Sequence, residues 1–448
     1  MKYILILICS FVLFFAVSQE RRIEFEEYDL ENGLHVILHQ DNSTPIVNVS
    51  VLYHVGSKNE PEGRTGFAHF FEHLMFEGSK NVKRGEFNKI LDKAGGTNNA
   101  NTDFDRTFYF ETLPSHQLEI ALYLESERML HAVIDSTGIA TQKEVVKEEK
   151  RLRIDNQPYG SILEETFSRV FNGTSYGWTP IGSFEDIDAA TEGDFKDFFD
   201  TFYVPDNATL SIAGDINIPE TKDMVKKWFG EIPKGTKAIP RPKINMQKLG
   251  KIRADVFDNI QLPAVIQAYQ MTERGSDDYY ALAMVTTLLS GGESSRFQKE
   301  IVDNQQLAVQ VASIPLALED AGVFIAFGLV NTGISTEDLS AAMDEEIERV
   351  KNELIDDREF QKLRNQIENV FVSSNSTMRG IAESLATYHV YYGDTNLINS
   401  EIERYMAVTK KDLQRVAKKY LDTNNRVELT YLPKSEQQTT EGEKTNDN

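Results

Sequence analysis

The chain is almost devoid of cysteine. Among 448 residues only Cys9 carries a thiol, and it lies in an apolar N-terminal run. Beyond that run, disulfides, thiol nucleophiles and thiolate metal ligands are excluded. Any metal site must use His, Asp and Glu. No Gly-x-Ser-x-Gly elbow occurs, which removes that route to a serine hydrolase. Basic charge is also scarce: 47 Lys+Arg against 70 Asp+Glu give a formal net charge of -23. Such a chain excludes nucleic acid and anionic membrane surfaces as partners, and is compatible with basic peptides. Long apolar runs are missing apart from Ile4 to Val17. Lys2 precedes that run, and Ala16-Val17-Ser18 supplies small residues before Gln19, so residues 1–18 read as a cleaved signal peptide. The run is short for a span, with an uncleaved anchor as the alternative. The expected location is periplasmic or secreted, with no membrane span after cleavage.

What is present is enough chain for two to three domains with real cores. Asn32-Gly33 marks a hairpin between Phe25 and Asp41. An alternating strand follows from Pro45 to Val55. After a polar loop, Thr65 is the expected N-cap of the next helix. Helices are predicted near 85–94, 116–132, 138–155, 161–171, 192–202 and 219–229, and strands at 97–103, 107–113 and 208–213. Pro233 to Lys243 holds three prolines and little apolar periodicity and reads as part of a linker. The expected division is a first domain over 24–232, a linker over 233–246, a second domain over 247–433 and a disordered tail over 434–448. In the second half, strands near 252–258, 263–270, 307–314 and 321–329 alternate with helices at 278–290, 294–302, 336–354 and 357–387. The order repeats that of the first half. Matching Gly78 with Gly292 sets Ala283, Thr286 and Thr287 opposite His69, Glu72 and His73, so the copy carries no metal ligands.

The chemistry concentrates in Gly66 to Phe76. His69 and His73 are four apart and Glu72 three after His69, so all three share one side of a helix. Two imidazoles so placed can hold one zinc ion, and the carboxylate can handle a proton of a metal-activated water. The order His-x-x-Glu-His inverts the commoner His-Glu-x-x-His. Phe67, Phe70, Phe71, Leu74 and Phe76 supply the apolar faces, and a polar edge beside them is costly unless paired or metal-bound. Hydrolytic zinc needs a third protein ligand. The candidate helix is Glu144-Val145-Val146-Lys147-Glu148-Glu149-Lys150-Arg151, with Val145, Val146 and Leu152 marking its buried side. Periodicity leaves both Glu148 and Glu149 open.

His69-x-x-Glu72-His73, with Glu149 placed 76 residues after His73, resembles the pitrilysin/insulinase-type zinc metallopeptidases, which include bacterial periplasmic zinc proteases and mitochondrial processing peptidase subunits. Gly95-Gly96-Thr97-Asn98-Asn99-Ala100-Asn101-Thr102, Tyr176-Gly177-x-x-Pro180-Ile181-Gly182 and Tyr203-x-Pro205-x-Asn207-Ala208 resemble further blocks of that family, as do Ser295-Arg296-Phe297 and Leu307-Ala308. The resemblance implies an α+β fold of two homologous domains, each a mainly antiparallel sheet covered by helices. It implies His69, His73 and Glu149 as Zn2+ ligands and Glu72 as general base of an endopeptidase. It also implies a peptide substrate docked on the edge strand at Asn99 and Ala100. Two departures stand out. Gln142 occupies a position, seven before Glu149, where the family often has glutamate. The stretch Ala321 to Phe327 lacks the Arg and Tyr that a partner half supplies in related enzymes. A second homologous, ligand-poor subunit, or a homodimer, is therefore the expected partner. The competing class is a non-catalytic peptide-binding subunit of a heteromeric peptidase.

Overall fold

The computed structural model describes residues 22–437. The expected signal peptide and residues 438–448 of the expected tail lie outside this range, and 434–437 form a helical turn rather than disordered chain.

Two sheets are built from repeating strand orders. The first contains β1 (Glu26–Asp29), β2 (His35–Gln40), β3 (Ile46–Tyr53), β4 (Thr97–Thr102), β5 (Thr107–Pro114) and β6 (Ala208–Gly214), in the order β1-β2-β6-β3-β5-β4. The second contains β7 (Lys251–Asp258), β8 (Ala264–Met271), β9 (Ala308–Ala317), β10 (Gly322–Val330) and β11 (Arg426–Pro433), in the order β7-β11-β8-β10-β9. Without β1 the two orders coincide strand for strand. Each sheet is antiparallel except for one parallel pair, β2 with β6 and β7 with β11. The β1–β2 turn is tight because Gly33 takes φ 88°, a conformation that costs glycine nothing.

Alternation along the strands divides each sheet into two faces. In β3, Val47, Val49, Val51 and Tyr53 meet the helices 67–74, 118–131 and 192–202 in the largest core cluster. The opposite face of the same sheet, with Ile37, Leu52, Phe108 and Ala213, is covered by the helix Met378–Tyr392, which belongs to the second half. Reciprocally, Phe167 and Val170 of the helix Ile162–Val170 lie on the second sheet against Ile266, Val427 and Leu429. The two halves thus exchange helices.

The exchange explains one departure from the sequence pattern. The helix expected over 357–387 is two helices, Asp357–Ser374 and Met378–Tyr392. The break falls where Thr377 takes an extended backbone and its side chain accepts the Gly380 N–H, starting a new helix. The second piece is then free to turn onto the first sheet. Other apolar elements follow the expected positions within a few residues. The expected helix 294–302 is displaced to a π-type coil at Gln298–Asn304, and the short helix Phe184–Ala189 had no clear periodicity. The seam between the halves carries a buried charge cluster. The Lys58 ammonium, 3% exposed, pairs with Asp105, Glu319 and Asp320. Its desolvation is offset only because three carboxylates surround it.

Candidate metal centre

The metal-type helix spans Phe67–Leu74. Its N-cap position is Gly66, with φ 91°, and not Thr65. The Thr65 hydroxyl is instead drawn to Asp186 at 2.5 Å. Capping comes from a distance. Glu60, 3% exposed, accepts the N–H of Gly66 and of Ala68 at 2.9 Å each, and the Trp178 indole N–H at 3.0 Å. A carboxylate at this end also suits the helix dipole. Burial pushes the Glu60 carboxyl up to about 8, against the pull of the N–H donors at the helix start and of Trp178. Gly66 must be glycine for a second reason: the chain crosses it at Gly182. A Cβ on Gly182 would stand 2.5 Å from Gly66 Cα. This close crossing accounts for the Tyr176 to Gly182 block, whose Trp178 and Gly182 both fix the helix start.

Aromatic packing orients the helix. Phe67 and Phe70 stack on Phe195 with centroids 4.7 and 4.5 Å apart, and Phe71 stacks on Phe198 at 5.5 Å. The Tyr109 hydroxyl donates to the Phe71 carbonyl at 3.0 Å. With that face committed to the core, His69, Glu72 and His73 are left on the opposite side.

The third carboxylate arrives from the helix Ser136–Lys150, which widens into a π-type turn over Arg151–Asp155. Val146 is fully buried there, but Val145 and Leu152 are 42% and 55% exposed. The buried side is therefore narrower than Val145, Val146 and Leu152 together predict, because the widening coil carries Leu152 off the packed face. Glu149, three after Val146, turns toward the histidines. Glu148 is exposed and pairs with Arg151 at 3.2 Å. His69 Nε2 and His73 Nε2 are 3.3 Å apart, and Glu149 Oε2 is 3.1 Å from His73 Nε2 and 3.6 Å from His69 Nε2. Zinc bonds of about 2.0–2.1 Å in a tetrahedron require ligand atoms about 3.3–3.4 Å apart. The three atoms thus outline one face of such a tetrahedron, and the residues fit the ion. Glu149 Oε1 is held by Arg153 at 2.6 Å. At Gln142, the amide reaches Glu77 at 2.5 Å, tying this helix to the bend that follows the helix Phe67–Leu74.

The electrostatics suit neutral imidazole and anionic carboxylate ligands. Burial, then the neighbouring His73, lowers the His69 pKa to about 4. The hydrogen bond from His73 holds Glu149 below the usual carboxylate range. Burial raises Glu72, against the opposing effect of the Thr102 hydroxyl, which donates to Glu72 Oε2 at 2.6 Å. Sequence reading had no role for Thr102 or Glu60. Period-two alternation from Ala100 could have placed Thr102 on the helix side of β4, but nothing local foretells Glu60.

Strand β4 borders the site and ends the sheet, pairing only with β5. Ala100 packs on the core, while its N–H is taken by the side chain of Asn99 at 2.9 Å. Among the described residues one other group has metal-ligating chemistry, Glu27, His35 and His389 at the seam between the halves. There the two rings stack at 3.4 Å, and His35 is bound to Asp29 at 2.7 Å.

An inverted His-x-x-Glu-His helix with a distant glutamate, on the first of two like-ordered sheets, defines a class of two-domain zinc-peptidase folds. The family comparison agrees. The model described as "Insulinase (Peptidase family M16)" matches residues 35–178, and that described as "Peptidase M16 inactive domain" matches 189–367. The chain belongs to the M16 peptidase family. It is 34% identical over 399 residues to the zinc protease PqqE of Helicobacter pylori, covering 88% of this chain and 90% of that protein. It is 26% identical to the zinc protease YmxG of Bacillus subtilis, over 79% of this chain and 86% of that one. The crystal structure of a protease from Helicobacter pylori superposes with a TM-score of 0.87 at 32% identity, covering 92% of this chain and 100% of the other. Peptidase-type function and the α+β fold of two M16-type domains follow from these likenesses.

Proposed function

We propose that this chain is a zinc-dependent endopeptidase that hydrolyses peptides or small unfolded proteins. His69, His73 and Glu149 hold the ion and Glu72 is the general base. The observation that carries this reading is the convergence of two imidazole nitrogens and one carboxylate oxygen at 3.1 to 3.6 Å, beside the Glu72 carboxylate on the same helix. Zinc bound there supplies a Lewis acid that polarises a carbonyl and acidifies a water. Glu72 accepts the proton released in the attack and returns it to the leaving amine. Arg153 orients the Glu149 carboxylate. Extended substrate adds to the open edge of β4 through main-chain hydrogen bonds, at Asn99 and Ala100. For that, the Asn99 side chain must release the Ala100 N–H it now occupies.

The signal-like N-terminus supports a periplasmic or secreted location, and no helix among the described residues is long and apolar enough to cross a membrane. The apolar stretch from Ala321 to Phe327, without Arg or Tyr, supports a second homologous subunit or a second copy completing the active-site wall. Size measurement of the purified protein, alone and from its native source, tests that pairing; a fully active monomer refutes it.

The test of function is cleavage of an unstructured peptide, with and without a chelator, by the wild type and by Glu72→Gln. The variant is expected to retain zinc and lose about 10²- to 10⁴-fold in kcat. A zinc-loaded wild type that binds but never cleaves the peptide would make the chain a non-catalytic binding subunit. A fully active Glu72→Gln would remove Glu72 from its role.

A further inference from the structure

We infer that Thr102 is the positioning residue for Glu72 and links the peptide-docking strand to the general base. This rests on the zinc-peptidase reading above.

Glu72 projects from a helix on a flexible side chain. A base that must meet one water in one place needs its carboxylate fixed before substrate arrives. Only one protein group does so. Thr102 Oγ1 donates to Glu72 Oε2 at 2.6 Å, and among the described residues no other hydrogen bond reaches that carboxylate. One oxygen is thus anchored and the other is left for a proton. A β-branched side chain on a strand is stiff at χ1, which makes threonine a firm donor.

The anchor is itself anchored. Thr102 pairs in register with Thr107 on β5, and the buried Thr107 hydroxyl donates to the Val55 carbonyl at 2.9 Å. The turn beyond it is closed by Asp103, which accepts the N–H groups of Asp105 and Arg106 at 2.7 and 2.8 Å. Arg106 pairs with Glu383 and donates to Thr387 at 3.2 Å, both on the exchanged helix of the second half. Thr102 also stands two residues from Ala100, so both side chains leave β4 on the same face. A peptide added to the edge of β4 is therefore registered against the same strand that holds the base.

Thr102→Val removes the hydroxyl at nearly constant shape. The expected result is a fall in kcat of about 10- to 100-fold with KM and zinc content unchanged. Thr102→Ser, which keeps the hydroxyl, restores kcat. The contact is also read without turnover. In the metal-free protein, the urea-midpoint shifts of Thr102→Val and Glu72→Leu should combine non-additively. An unchanged kcat in Thr102→Val, a loss confined to KM, a serine variant as slow as valine, or an additive cycle would each overturn the proposal. Full activity of Glu72→Gln would instead overturn the role of Glu72, while the metal-free cycle still decides whether Thr102 holds it.

Discussion

The two halves use one scaffold in two ways. Strand orders coincide, and a helix packs on the same side of each sheet. In the first half that helix is short, begins at a glycine in the left-handed conformation and presents His69, Glu72 and His73. In the second, the helix Asp277–Ser290 carries Thr286 and Thr287 where the repeat sets them opposite Glu72 and His73. Those hydroxyls donate to the Leu282 and Ala283 carbonyls of their own helix at 3.0 and 3.1 Å. A neutral hydroxyl engaged within its own turn does not replace an imidazole or a carboxylate as a zinc ligand. The difference between the halves is therefore where polar capacity is directed, outward to a shared point or back into the helix.

The comparison can be broken most sharply at the third ligand. Glu149→Gln should abolish stoichiometric zinc binding by metal analysis, whereas Glu148→Gln should keep one zinc per chain. Next come the two glycines flanking the paired helices. Gly66 and Gly292 both have positive φ, 91° and 93°, but a Cβ at Gly66 would meet the Ile181 carbonyl at 2.9 Å, while at Gly292 nothing lies within 4 Å. Gly292→Ala should cost only the backbone strain, about 1–2 kcal/mol in urea unfolding. Gly66→Ala should cost more and also weaken zinc binding. Equal effects on both would show that the crossing at Gly182 is not what fixes the metal helix. A smaller change is expected for Thr286→Ala, about 1 kcal/mol, with zinc still at one per chain. The smallest concerns pH. Burial, then the neighbouring His35, lowers His389 to about 4. Unfolded, this ring binds a proton near pH 6.5, so unfolding takes up protons between about pH 6.5 and 4. Stability should fall as pH drops through that window, and His389→Asn should make the slope shallower by up to one proton.

The metal helix and the fold class were legible because they rest on short-range periodicity and on paired element orders. Glu149 was half legible. The pattern narrowed the candidate third carboxylate to two adjacent glutamates, and only the packing of Val146, with Val145 and Leu152 turned outward, decides which of them faces the histidines. The break at 375–377 was missed since both flanking segments are helical in pattern and the reason to stop lies in the other half's sheet. Glu60 was invisible for the same kind of reason: it caps a helix six residues away through a loop, and its value depends on a crossing with Gly182 more than a hundred positions later. Contacts that close over long sequence distances leave no local mark.

The exchanged helices carry a consequence for the chain as a gene product. Severing it in the proline-rich stretch after residue 232 would leave the first piece with Ile37, Leu52, Phe108 and Ala213 bare, and the second without the cover of Phe167 and Val170. Neither fragment would be a free-standing module. Mixed together, they would behave as complementing halves that recover solubility only by finding each other.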